Sequence, residues 1–85
     1  MHHRLVLILL IGLTATPALA QSGCEGAIGQ FRRVIDSDAQ TGNIAKSIYN
    51  RIVPELGRIA ETCRAGRDAP AMNALTALKW RHGYR

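Results

Sequence analysis

Apolar residues recur at helical spacing in three stretches of this chain, and no stretch shows the every-second-residue alternation of a strand. The first stretch runs from Cys24 to about Gln40, with Ala27, Ile28, Phe31, Val34, Ile35 and Ala39 on one face. Arg32 and Asp36 are spaced to pair on its surface, and Gly26 and Gly29 weaken its first turns.

The second stretch, from about Asn43 to Arg64, carries the strongest helical pattern. Ala45, Tyr49, Ile52, Leu56, Ile59 and Cys63 follow one another at steps of four and three, and Ile48 and Ala60 widen the stripe. Pro54 interrupts it. Proline lacks a backbone donor and crowds the preceding turn, so it should kink the helix or restart it near Val53, with Gly57 allowing close approach at the bend. On the polar side, Arg51 with Glu55, Glu55 with Arg58, and Glu61 with Arg64 are spaced to pair along the helix.

The third stretch follows a short connection, Arg64 to Arg67. Asp68 can cap it, Pro70 sits in the first turn where a missing N–H does no harm, and Ala71, Met72, Leu75 and Leu78 supply a short stripe. Lys79, Arg81 and His82 gather at its end, where the helix dipole favours positive charge, and Gly83 fits as a terminator. The expected architecture is all-α: a small antiparallel three-helix bundle, a helical hairpin plus a short C-terminal helix.

Residues 1–20 have a different pattern. Arg4 gives a short positive start, Leu5 to Leu13 is an unbroken apolar run, Pro17 breaks it, and Ala18 and Ala20 place small residues before Gln21. That is the layout of a cleaved secretory signal peptide, with small side chains where the peptidase pockets are shallow. The run is too short for an uncleaved anchor, which needs close to 20 apolar residues. Lipidation at Cys24 fits poorly, because Gln21 stands where a Leu-like residue belongs and Cys63 would lose its partner. The expectation is a periplasmic or secreted protein of residues 21–85, forming one small helical domain with no transmembrane helix.

Setting the leader aside changes the composition. The full chain is 47% hydrophobic, but residues 21–85 contain only 12 Leu, Ile, Val or Phe. Such a core is thin, so a second domain or a cofactor-binding α/β fold is excluded. Stability must come partly from elsewhere. Cys24 and Cys63 are the only cysteines, and an exported chain enters an oxidising compartment, so one disulfide is expected. Closing a loop of about 40 residues contributes roughly 4 kcal/mol in chain-entropy terms.

The disulfide also locates the first turn. If the first helix ended at Asp36, the two cysteines would be out of register by roughly 12 Å at the helical rise of 1.5 Å per residue. Ending it near Gln40 or Thr41 cuts the mismatch to about 4–5 Å by the same rise. Thr41-Gly42-Asn43 is therefore the preferred turn, with Gly42 ending one helix and Asn43 capping the next.

Few residues can carry chemistry. His2 and His3 belong to the leader, which leaves His82 near the chain end, a poor place for a catalytic base. One histidine and two paired cysteines are too few for a metal centre. Asp36, Asp38 and Gln40 have partly calcium-loop spacing, but the glycine falls one position late and Ser47 stands where a bidentate Glu is required. No enzyme activity and no cofactor is expected.

Residues 21–85 carry ten Lys or Arg against six acids. Most of this charge is interleaved, but the tail from Lys79 through Trp80, Arg81 and Tyr84 to Arg85 has no acid. There Trp80 could fold back over the thin core, or the basic and aromatic side chains could meet an anionic surface. The expected function is a non-catalytic interaction or structural protein of the envelope, with an unidentified protein partner. The alternative is a binder of anionic lipid or polysaccharide through the tail. An exported protein has little access to nucleic acid, whatever its charge.

Overall fold

The computed structural model describes residues 23–85, so the expected leader and the expected cleavage residues Ala18, Ala20 and Gln21 lie outside the described residues. Three helices follow in order: α1 (Cys24–Thr41), α2 (Lys46–Arg64) and α3 (Asp68–Arg81). They form an all-α antiparallel bundle in which α2 packs against both of the others and α1 meets α3 over a shorter stretch.

The periodic residues build the core. Phe31 and Ile35 of α1, Ile52, Leu56 and Ile59 of α2, and Ala71, Leu75 and Leu78 of α3 are all buried, with the two cysteines among them. Val34 and Met72, members of the same stripes by period, are only partly covered, at 40% and 37% exposed. Each lies next to the buried face rather than on it, and a bundle of short helices cannot cover a wider stripe.

All three helices end in the same way. Gly42, Gly66 and Gly83 adopt positive φ angles of 79°, 83° and 81°. In each case the next residue's N–H reaches back to a carbonyl inside the helix: Asn43 to Asp38 (2.8 Å), Arg67 to Thr62 (3.2 Å) and Tyr84 to Lys79 (2.8 Å). This is the six-to-one bond of a helix stopped by a left-handed residue, and glycine takes that conformation without steric cost.

The helix starts differ from the sequence reading. Asn43 does not cap α2, because the helix starts only at Lys46 and the Asn43 side chain turns back to Asp38; Ala45 holds the cap position in an extended conformation without a side-chain bond. Asp68 is the first residue of α3, and Arg67 precedes it as the cap. Pro54 does not split α2, which continues from Lys46 to Arg64. Pro54 and Asn50, whose carbonyl loses its partner, are both exposed, so water can supply the missing donor. Gly57 serves no close approach either, since a Cβ there would meet nothing within 4 Å.

Candidate functional site

The two residues singled out as a staple are joined. Cys24, first in α1, and Cys63, next to last in α2, form a disulfide with Cα atoms 6.0 Å apart. Asp68 Oδ1 lies 3.0 Å from Cys24 Sγ. A disulfide sulfur has no hydrogen to give, so this is a close sulfur–oxygen approach and not a hydrogen bond. The other carboxylate oxygen lies beside Gly23, where a Cβ would come within 3.3 Å of it. Asp68 thus stands at the start of α1, where the helix dipole favours negative charge. The ligand atoms of Cys24, Cys63 and Asp68 fall within 4.8 Å of one another. With both sulfurs spent in the disulfide, neither offers the thiolate a metal requires.

The tail does not hang free, and its residues take four different roles. Arg81 reaches sideways to Glu55 on α2, in place of the expected pairing of Glu55 with Arg51 or Arg58. The antiparallel packing of α2 and α3 sets the end of α3 beside Glu55. Trp80 stays 61% exposed, and the Arg85 guanidinium lies over its ring, 5.5 Å from the centroid. Lys79 Nζ sits 5.9 Å from the centroid of Phe31.

Tyr84, not Trp80, folds back over the core. The left-handed turn at Gly83 reverses the chain and sets the Tyr84 ring edge-on to Phe31, with centroids 5.1 Å apart. Its hydroxyl donates to Asp38 Oδ2 at 2.6 Å. Burial, followed by the bond to Asp38, pushes the Tyr84 phenol up to about 12.

A second tyrosine makes the same kind of bond two residues earlier in α1. Tyr49 of α2 donates to Asp36 Oδ1 at 2.6 Å, and Arg32 reaches the same oxygen at 3.0 Å. The Tyr49 hydroxyl, then Arg32, hold the Asp36 carboxyl below the ordinary carboxylate range. The two acids with calcium-like spacing are therefore occupied by tyrosines. The helical period places Tyr49 in the apolar stripe and the sequence places Tyr84 in the basic tail, and neither position predicts a partner for the phenol. No local spacing announces bonds across 13 and 46 positions.

The fold leaves a cleft of about 210 Å³ where the returning tail meets α1. Phe31, Val34 and Tyr84 form its aromatic and aliphatic lining, and Lys79 and Arg85 line it as well. Among the described residues neither cation has a carboxylate within ion-pair distance. The cleft continues at Gln30 and Val34 into a shallower hollow of about 400 Å³ along α1, bordered by Arg33, Ser37 and Asp38. Of the tail residues read as an anionic-surface site, Lys79, Tyr84 and Arg85 meet here; Trp80 adjoins through Arg85, and Arg81 is turned toward α2.

Comparison with known proteins gave no matching family model, no matching curated protein and no matching solved structure. Among the described residues no helix is long and apolar enough to cross a membrane.

Proposed function

We propose that this is an exported, disulfide-stapled, non-catalytic protein that contacts another macromolecule of the cell envelope through the face where the end of α3 returns to α1. One observation carries this reading. That face combines an indole that is 61% exposed with two cations, Lys79 and Arg85, that have no carboxylate partner among the described residues. Exposed Trp next to Arg is the composition of interface anchors. Export rests on the leader sequence, and the non-catalytic reading on the scarcity of reactive side chains.

The test is site-specific photocross-linking in envelope preparations, with a photoreactive residue at position 80 and, as the control, at Arg58 on the outer side of α2. A discrete adduct from position 80 and none from position 58 supports the reading. Equal labelling from both positions, or none from either, overturns it.

The alternative is attachment to anionic lipid or polysaccharide through the tail. It draws support from the same two cations. Less favourable to it, Arg81 is committed to Glu55 and Tyr84 is turned inward.

A further inference from the structure

The cleft between α1 and the returning tail is smaller than a site for a whole small molecule, which typically occupies about 300–1,000 Å³. At about 210 Å³ it has room for one anchoring group of something larger. Its chemistry has two parts. Phe31, Val34 and the Tyr84 ring offer apolar surface, while Lys79 and Arg85 offer positive charge. Among the described residues no acidic side chain lines it. The nearest acid in the adjoining hollow, Asp38, is held by the Tyr84 hydroxyl at 2.6 Å and by the Asn43 amide at 3.4 Å.

We infer that the cleft binds the carboxyl-terminal residue of a partner polypeptide, with its apolar side chain against Phe31 and Val34 and its α-carboxylate between Lys79 and Arg85. The inference rests on the contact function proposed above and names the partner chemistry for the same face. A carboxylate is the anion that an arginine fork and a lysine ammonium recognise by charge-assisted hydrogen bonds. An apolar group next to it on one residue matches the two-part lining.

The hollow beyond the cleft favours a polypeptide over a lipid. It is bordered by Gln30, Arg33, Ser37 and Asp38, which suit backbone amides and polar side chains but not an acyl chain. A bilayer would also need a broad apolar surface. Among the described residues the exposed large hydrophobics are only Val34, Met72 and Trp80, and only Val34 lines the cleft.

The test uses the disulfide-intact protein of residues 21–85 and a fluorescein-labelled hexapeptide of serine and glycine ending in leucine. Fluorescence anisotropy is read for the free acid and for the C-terminal amide. The free acid should bind at least tenfold more tightly than the amide. Lys79→Gln should remove most of that difference, and Val34→Asp should abolish binding of both peptides. Val34 is 40% exposed, so the second variant should keep the wild-type circular dichroism spectrum.

Equal binding of acid and amide, or no binding of either, overturns the inference. So does salt-sensitive retention on phosphatidylglycerol vesicles, lost in Lys79→Gln, in the absence of peptide binding. Cross-linking from position 80 without peptide binding leaves the contact function standing and removes only the carboxyl-terminal partner. Peptide binding without cross-linking supports the carboxylate chemistry of the cleft and overturns the envelope contact at position 80.

Discussion

Tyr84 and Asp38 are 46 positions apart in the chain, and the phenol of one donates to the carboxylate of the other at 2.6 Å. This bond closes the tail over Phe31 and creates the cleft proposed as the contact site. Removing it should therefore affect stability and binding together. Tyr84→Phe keeps the ring on Phe31 and loses only the bond, at a cost of about 1 kcal/mol. Tyr84→Ala loses the ring contact as well and should cost more. Urea denaturation of the two variants, followed by circular dichroism, checks the order.

Burial of Tyr84, and after it the same bond, sets an alkaline limit. The Tyr84 phenol titrates at about 12 in the fold, against 10.0 for an ordinary tyrosine. A raised value means that the neutral phenol is the form the fold prefers. Its contribution is complete below pH 10 and is lost as pH rises through 12. Thermal denaturation from pH 9 to 12 should show a falling midpoint, and the fall should be smaller in Tyr84→Phe.

At the acid end the relevant group is Asp36. Its carboxyl is held low, first by the Tyr49 hydroxyl and then by Arg32. This contribution is present above the ordinary carboxyl pKa of 3.8 and is lost as pH falls through the lower folded value. In Tyr49→Phe the Asp36 carboxyl, followed by NMR, should titrate closer to 3.8 than in the wild type. An unchanged midpoint would show that the tyrosine bond does not set it.

Glycines divide into two groups with opposite expected effects. Gly29 and Gly57 are helical; a Cβ at Gly29 meets only Arg33 at an ordinary 3.8 Å, and at Gly57 it meets nothing. Alanine at either position should stabilise by about 0.5–1 kcal/mol, since it restricts the unfolded chain and fits the helix. Gly42 and Gly66 also have open space, but their φ angles are positive. Alanine there should destabilise by about 1–2 kcal/mol from backbone strain alone. Urea midpoints of the four single variants test the division.

Reduction of the disulfide should expose the thinness of the core. The bridge spans 39 positions, and its loss removes roughly 4 kcal/mol, a large share of the stability of a domain this small. Circular dichroism of the Cys24→Ser, Cys63→Ser double variant should show most of the helical signal gone at 37 °C. Retention of a cooperative melt near the wild-type midpoint would assign the stability to the core instead.

The sequence by itself determined the three helices, the core face of each, the disulfide and the turn at Gly42. All of these follow from local rules: helical period, backbone freedom at glycine, and the fixed rise that only one turn position reconciles with a Cys24–Cys63 bond. Tertiary structure alone decided where the polar side chains go. Glu55 had two partners on its own helix and took Arg81 from another. Asp36 and Asp38 took tyrosines, and Tyr84, not Trp80, turned inward. Hydrophobic burial depends on one residue's period, whereas a hydrogen bond depends on the relative placement of two elements. That placement exists only once the helices have packed, and the candidate site is made almost wholly of it.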